Sequence, residues 1–234
     1  MSGETIAIGA SDLHKRFWLG KREVYALRGV SLTVPQGAFC TIIGPSGSGK
    51  STLLNVMGLL DTPDSGEVLL NGTSLIGISS RDAAAVRRRH IGFVFQDFNL
   101  IPVLSVYENV TLPLRAHTRS DLAARSSIGT QDRVRHLIES VGLLDWVDHK
   151  PTELSGGQQQ RVAIARALAN SPSVVLADEP TANLDSETGK EILALMQRTS
   201  TEFGTTFVLS THDSAVTRLA TMTIELRDGA VYHS

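Results

Sequence analysis

A glycine-rich segment with one lysine carries the strongest chemical signal in this sequence. It consists of Gly44, Pro45, Ser46, Gly47, Ser48, Gly49, Lys50, Ser51 and Thr52. Because glycine has no Cβ, consecutive backbone N–H groups of such a loop can converge on phosphate oxygens. Lys50 is placed to reach the β- and γ-phosphates of a nucleotide, and the Ser51 hydroxyl is placed to ligate Mg²⁺. The segment therefore predicts a site for a nucleoside triphosphate and Mg²⁺.

The flanking sequence favours this interpretation over a flexible Gly/Ser turn. Residues 40–43 form an apolar run with the character of a buried strand, and residues 51–57 follow a helical pattern. The order strand, loop, helix places a helix N-terminus, with its partial positive charge, against the bound phosphates.

A pair of carboxylates follows another apolar run. Residues 173–177 predict a buried parallel strand that ends at Asp178 and Glu179. Ligands of open α/β sheets bind at such strand ends, where Asp178 suits a contact to Mg²⁺ and Glu179 suits orienting or deprotonating a water. Two adjacent acids alone more often begin a helix or a turn, and it is the phosphate loop that favours a site here.

Two further polar residues end predicted strands. His212 follows the strand pattern at residues 205–210 and could hydrogen-bond a γ-phosphate. Gln96 follows the apolar run at residues 91–95 and would carry no signal by itself.

A second helix start has the composition of an anion site. Ser155 is a predicted N-cap, and Gly156, Gly157 and Gln158 open the helical pattern that follows it. Two phosphate-facing helix ends in one chain indicate that they share a site.

Composition sets limits on the class of protein. The chain has 234 residues, 41% of them hydrophobic, and 22 Lys and Arg against 24 Asp and Glu. Without a basic excess we expect no nucleic-acid partner, and without a long apolar run or a basic leader we expect no membrane span or export signal. The single cysteine, Cys40, lies in an apolar run and is expected to be buried, as suits a reducing compartment.

The strand and helix patterns predict an α/β fold in a single domain of residues 1–234. Residues 1–96 and 172–234 are expected to form a nucleotide-binding core with a mostly parallel sheet and a flanking antiparallel β-subdomain. Residues 97–171, which are rich in helical patterns, are expected to form an inserted α-helical subdomain.

A polar hairpin near the start of the chain carries three aromatic residues. It lies between the strand patterns at residues 5–8 and 30–34, both of which alternate as half-buried strands. Phe17, Trp18 and Tyr25 are each able to stack on an adenine ring, and each alone is more often a packing residue.

Taken together, these motifs resemble an ATP-binding-cassette ATPase, the nucleotide-binding subunit of a transporter, along the whole chain. In the family's terms, residues 44–51 resemble Walker A, Gln96 the Q-loop, residues 154–158 the signature motif, residues 174–179 Walker B with its glutamate, residues 183–185 the D-loop, and His212 the switch histidine. The resemblance implies a P-loop core of the RecA-like kind.

The resemblance also implies a role for each site residue. The implied catalytic residues are Lys50, Gln96, Glu179 and His212, and the implied Mg²⁺ ligands are Ser51, Gln96 and Asp178. ATP would be bound by residues 44–52, by Ser155, Gly156, Gly157, Gln158 and Asp185, and by Phe17 stacked on adenine, with Trp18 and Tyr25 as alternatives.

Family resemblance further implies partners and a location. Two ATPase subunits dock head to tail, and a membrane permease holds them as peripheral proteins on the cytoplasmic, inner face of the cell membrane. Residues 93–102 and 158–168 resemble the macrolide-exporter and lipoprotein-release branch, whose ATPases drive export or mechanical work.

Three other classes of cassette ATPase share these motifs. In DNA-repair and chromosome-organising ATPases a long coiled coil separates Walker A from the signature motif, whereas here Gln96 and Ser155 are only 59 positions apart. Ribosome-acting ATPases carry two cassettes and a basic linker. A regulatory ATPase of a non-transport membrane complex, of the cell-division type, stays as the alternative, because it differs only in its docking partner.

Overall fold

Ten strands and seven α-helices make up residues 5–115, 129–212 and 214–232, the part of the chain that the computed structural model describes. The strands are β1 (Ile6–Leu19), β2 (Arg22–Pro35), β3 (Phe39–Ile43), β4 (Ser65–Leu70), β5 (Thr73–Ser74), β6 (Ile91–Val94), β7 (Val174–Asp178), β8 (Thr206–Thr211), β9 (Met222–Arg227) and β10 (Ala230–Tyr232). The helices are α1 (Lys50–Met57), α2 (Ser80–His90), α3 (Val106–Arg115), α4 (Thr130–Ser140), α5 (Gly156–Leu168), α6 (Ser186–Phe203) and α7 (Ser214–Thr217).

The larger sheet has six strands in the order β10-β9-β3-β8-β7-β6. Strands β9, β3, β8, β7 and β6 run parallel, and only β10 is antiparallel to its neighbour. Because parallel strands end at the same edge, the residues that follow β3, β6, β7 and β8 meet at one side of this sheet.

The smaller sheet is antiparallel, in the order β2-β1-β4-β5. Together the two sheets confirm the predicted α/β fold with a mostly parallel sheet and a flanking antiparallel one. Strand β2 alternates as predicted, with Val30, Leu32 and Val34 buried. The half-buried pattern predicted for residues 5–8 is wrong, since Ala7 and Ile8 on opposite faces of β1 are both fully buried. The reason is that β1 is an inner strand whose first residues are covered on both faces.

Two hydrophobic cores cover the two faces of the larger sheet. Phe39, Val175 and Phe207 point into a core that they share with α3, α4, α5 and α6. The adjacent residues, Cys40 and Leu176, point the other way, into a core shared with α1 and the antiparallel sheet. The larger sheet is therefore the middle of three layers, which fixes its carboxyl edge as a rigid platform.

Cys40 is fully buried in the second core, as the sequence predicts. Desolvation by this burial raises the pKa of its thiol to about 12. Helices α3, α4 and α5 lie between β6 and β7 along the chain. In the part of the chain that the structure describes, none of the helices has the length and apolar character required to cross a membrane.

Candidate active site

The glycine-rich loop joins β3 to α1 at the carboxyl edge of the larger sheet. Gly49, which immediately precedes α1, has a φ of +103°. A Cβ at this position would lie 2.4 Å from the carbonyl oxygen of Ala26 in β2. A side chain at position 49 would therefore clash with β2. Only glycine allows the loop and the start of α1 to lie this close to the antiparallel sheet.

The ammonium group of Lys50 is folded against the loop that precedes it. Its Nζ donates hydrogen bonds to the carbonyl oxygens of Gly44, at 2.9 Å, and Pro45, at 3.2 Å. The residue is only 6% exposed, and its Nζ lies 3.7 Å from Oε1 of Glu179. These contacts hold a positive charge at the mouth of the loop, beside the end of β7.

A hydroxyl and a carboxylate from two different elements meet beside Lys50. Ser51 Oγ, in the first turn of α1, donates a hydrogen bond of 2.9 Å to Oδ1 of Asp178 at the end of β7. Ser210 Oγ donates a 2.6 Å hydrogen bond to the same oxygen and so orients the carboxylate.

These oxygens are the kind of donor that Mg²⁺ prefers. No group of three or more His, Cys, Asp or Glu residues suited to a metal occurs in the described ranges. Mg²⁺ bound to a nucleotide takes one or two protein oxygens and completes its shell with phosphates and water. The chemistry of Ser51 and Asp178 thus fits Mg²⁺.

Glu179 is a non-glycine residue with a φ of +45°, immediately after β7. Its backbone N–H donates to Ser210 Oγ at 3.0 Å, and its carboxylate accepts a hydrogen bond of 2.9 Å from Nδ1 of His212. The carboxylate therefore lies between Lys50 and His212. Backbone strain of this kind is concentrated at functional sites.

A cavity of about 590 Å³ opens where these elements meet. Its walls include the predicted residues Ser46, Gly47, Gly49, Lys50, Ser51, Thr52, Gln96, Glu179 and His212. Gly44, Pro45 and Asp178 contact this set through Lys50 and Ser51, and Ser48 is buried within the loop. The structure thus brings the phosphate loop, Gln96 and the ends of β7 and β8 together.

The aromatic residue beside this cavity is Tyr25 of β2, together with Val24 and Ala26. Phe17 is paired with Val24 across the β1–β2 hairpin, is 41% exposed, and is absent from the cavity walls. Lys15 Nζ lies 5.3 Å from the centre of the Phe17 ring. The adenine-stacking role of Phe17 stays a prediction, with Tyr25 nearest to the cavity.

The predicted second helix start lies outside this cavity. Ser155 is the N-cap of α5, as predicted: its Oγ accepts from Gln158 N–H at 3.3 Å, and Gln158 Oε1 accepts from Ser155 N–H at 2.9 Å. Gly156 packs near Leu184, and a Cβ on Gly157 would lie 2.6 Å from Cγ2 of Thr188. Packing against Thr188 within the same chain is therefore enough to explain why residue 157 is glycine, whether or not a ligand binds there.

Asp185 also lies outside the cavity and caps α6. Its Oδ1 accepts hydrogen bonds from the backbone N–H groups of Glu187, at 3.1 Å, and Thr188, at 3.0 Å. Hydrogen bonds from the side chain and backbone of Thr188 lower the pKa of Asp185. Within one chain this carboxylate acts as a helix cap.

One contact at the site is not predictable from the sequence. Asn183 Nδ2 donates to the carbonyl oxygen of Gln96, at 3.1 Å, and to Oδ1 of Asp97, at 3.0 Å. An asparagine in a turn normally bonds its own backbone, so nothing in the sequence pairs residue 183 with residues 96 and 97. Only the adjacency of β6 and β7 in the sheet brings them together.

Comparison with known families identifies the family to which this fold belongs. The family model described as ABC transporter matches residues 27–182 of this chain, which is more than half of it. The chain belongs to the ABC transporter family. The resemblance of this ABC protein to ATP-binding-cassette ATPases is thereby confirmed, and with it the predicted class of ATPase.

Curated relatives of this ABC protein include long and short chains. It is 45% identical over 224 residues to the macrolide export ATP-binding/permease protein MacB of Syntrophobacter fumaroxidans. The aligned region covers 96% of this chain but only 31% of MacB. It is 43% identical over 231 residues to the lipoprotein-releasing system ATP-binding protein LolD of Alcanivorax borkumensis, with 98% of both chains covered. The chain therefore spans about a third of MacB and nearly all of LolD.

A solved structure agrees with the fold of this ABC protein. It is the dimeric, post-hydrolysis state of the ATP-binding cassette MJ0796 from Methanocaldococcus jannaschii, bound to ADP and Pi. The two proteins are 44% identical, with a TM-score of 0.85 over 97% of each chain.

Proposed function

We propose that this chain is the ATP-hydrolysing subunit of a membrane transporter, which couples ATP-driven dimerisation and hydrolysis to export or mechanical work by a partner permease. The observation that carries the proposal is the convergence of Lys50, the Ser51–Asp178 pair and the Glu179–His212 pair on one cavity. The names of MacB and LolD, one a macrolide exporter and the other part of a lipoprotein-releasing system, support the export or mechanical-work branch.

The substrate is ATP, and each group contributes to its hydrolysis. The phosphate loop, residues 44–52, donates its N–H groups to the phosphates, and Lys50 offsets their negative charge. Glu179 orients the attacking water and accepts its proton, while His212 hydrogen-bonds both the Glu179 carboxylate and the γ-phosphate.

Ser51, Gln96 and Asp178 would hold Mg²⁺ at this site. When bound, the ion would supply positive charge to offset the negative charge of the transferred phosphate. Gln96 is well placed for a second task, because its side chain lines the cavity while the chain that follows it leads to the helices. We therefore assign it the detection of the γ-phosphate.

The site needs a second copy of the chain. Ser155, Gly156, Gly157 and Gln158 form a helix N-terminus suited to an anion, yet they do not line the cavity of their own chain. In a head-to-tail pair, this segment and Asp185 of one copy face the phosphate loop of the other. The dimeric state of the MJ0796 structure supports this arrangement.

We further propose the division of the chain into residues 1–96 and 172–234 as the nucleotide-binding core and residues 97–171 as a helical subdomain. The permease docks on residues 96–106, where Ile101 and Val103 are exposed. A second cavity, of about 460 Å³, adjoins this segment at Asn99 and contains no residue of the ATP site. Docking there would place the chain as a peripheral protein on the cytoplasmic face of the membrane.

Co-purification tests the transporter assignment. Tagged Glu179→Gln chain is pulled from detergent-solubilised membranes with Mg-ATP, and its partners are identified by mass spectrometry, with Lys50→Ala as the control that cannot bind ATP tightly. A polytopic partner with a large extracytoplasmic domain is expected. A cell-division membrane complex would support the regulatory alternative, and ribosomal proteins, nucleic acid or no membrane protein would contradict the transporter assignment.

Crosslinking tests the docking surface. Failure of residues 96–106 to crosslink to a recovered membrane partner, while other segments do, would contradict the docking surface.

A further inference from the structure

The segment that follows β7 is a hydrogen-bonded turn. The N–H of Ala182 donates to the carbonyl oxygen of Glu179 at 3.1 Å, and the N–H of Leu184 donates to that of Thr181 at 3.1 Å. The turn is also fixed to α5, because the fully buried side chain of Gln160 donates a 2.6 Å hydrogen bond to the carbonyl oxygen of Pro180. These hydrogen bonds join residues 179–184 into one turn that begins at Glu179.

Asn183 links this turn to the loop after the neighbouring strand β6. Its Nδ2 donates to the carbonyl oxygen of Gln96, at 3.1 Å, and to Oδ1 of Asp97, at 3.0 Å. The backbone hydrogen bonds of the sheet join β6 and β7 only as far as Val94 and Ala177. Beyond them, the carboxamide of Asn183 joins the loop of Gln96 to the turn of Glu179.

The far end of the loop is held separately. Arg166 of α5 donates through Nη2 to the carbonyl oxygen of Phe98, at 2.8 Å, and through Nη1 to that of Asn99, at 2.5 Å. Phe98 and Asn99 have φ values of +59° and +48°, so this part of the loop has a fixed, left-handed shape. Loss of the Asn183 contacts would therefore release the Gln96 end alone.

We propose that Asn183 is a positioning residue for ATP hydrolysis, which sets the separation of the Gln96 and Glu179 side chains across the cavity. The inference rests on the proposed function, since it requires that both side chains act on the same γ-phosphate. This role explains why the hydrogen-bond partners of Asn183 lie 87 and 86 positions away along the chain. An ordinary asparagine in a turn bonds its own backbone instead. Small displacements of positioned groups are costly in the rate of the chemical step.

The Asn183→Ala variant distinguishes a positioning role of this side chain from a role in the stability of the fold or in ATP binding. We expect kcat of the purified chain with Mg-ATP to fall about tenfold, because the geometry of the reacting groups is lost. The KM for ATP should stay within about twofold of wild type, since the hydrogen bonds of the Asn183 carboxamide go to Gln96 and Asp97 and not to the phosphate loop. The melting temperature should also stay unchanged, because Asn183 and Asp97 are both exposed.

A reversal of the hydrogen-bond polarity gives the sharper test. Asn183→Asp places a carboxylate against Oδ1 of Asp97 and the carbonyl oxygen of Gln96, and should lower kcat more than Asn183→Ala does. Adding Asp97→Asn restores a donor opposite the new carboxylate and should raise kcat again. Asp97→Asn alone should stay near wild type, because the carboxamide of Asn183 can still donate to the new side-chain oxygen.

Wild-type kcat in Asn183→Ala would overturn the inference, as would a double variant no faster than Asn183→Asp. The second result would mean that residue 183 acts through another contact, such as one with a second copy. Glu179→Gln is assayed beside these variants. If wild type hydrolyses ATP and Glu179→Gln does not, such results contradict the role of Asn183 alone; if wild type shows no hydrolysis, the proposed function and this inference fail together.

Discussion

The carboxylate of Glu179 lies between Lys50, 3.7 Å away, and His212, 2.9 Å away. Its side chain is mostly buried, with 17% exposed, whereas that of His212 is 68% exposed. A general base needs an acceptor oxygen held within hydrogen-bond reach of the attacking water. The two basic neighbours hold Glu179 in place beside the phosphate loop.

Glu179→Gln keeps the shape of this side chain but cannot accept a proton. We expect hydrolysis to fall by about 100-fold or more, the usual contribution of a general base, while ATP affinity stays near that of wild type. Phosphate release and binding of a fluorescent ATP analogue measure the two quantities. Turnover close to wild type would contradict the role of Glu179.

Lys50 tests the phosphate loop itself. Lys50→Ala removes a point charge that faces several phosphate oxygens, so ATP affinity should fall by about 100-fold or more. The matched control is Lys190→Ala, which removes an exposed lysine of α6 outside the cavity. Titration with the fluorescent analogue measures both variants, and unchanged affinity in Lys50→Ala would contradict the whole account of the site.

At the scale of elements, helices α5 and α6 meet at their N-terminal ends. A Cβ on Gly157 would lie 2.6 Å from Cγ2 of Thr188, which is closer than carbon atoms can pack. The start of α5, which carries Ser155 and Gln158, is thereby seated against the start of α6, which carries the Asp185 cap.

Gly157→Ala should destabilise this contact. Overpacking costs about 1–3 kcal/mol, which corresponds to a fall in melting temperature of roughly 2–12 °C for a chain of this size. Thr188→Ser removes Cγ2 and should restore the melting temperature in the double variant, since the clash is relieved. Thermal unfolding followed by circular dichroism measures the series, and a double variant no more stable than Gly157→Ala would contradict the packing explanation.

The sequence predicts those elements whose chemistry is local. The phosphate loop, the Ser155 cap and the acids after β7 are recognisable because each motif uses neighbouring residues. The burial of β1 and the Asn183 contacts were not predicted, because both depend on which strands become neighbours. For the same reason the sequence could not single out Tyr25 from the three aromatic residues as the one that lines the cavity. Its position depends on how the β1–β2 hairpin lies over the phosphate loop.

At the scale of the whole molecule, the three-layer fold gathers one half of the proposed composite site at the carboxyl edge of the larger sheet. The phosphate loop, Gln96, Glu179 and His212 share one cavity, whereas Ser155 lies outside it. A closed, head-to-tail pair of identical chains satisfies both observations, because each copy supplies what the other lacks.

The most direct test of this account is the mass of the Glu179→Gln chain in solution, measured by light scattering with and without Mg-ATP. The account predicts a change from one chain to two when ATP is added. Ser155→Arg or Lys50→Ala, each combined with Glu179→Gln, should abolish the change, because each removes one side of the shared site. A chain that stays monomeric at saturating ATP, or a dimer that forms regardless of Ser155→Arg, would contradict it.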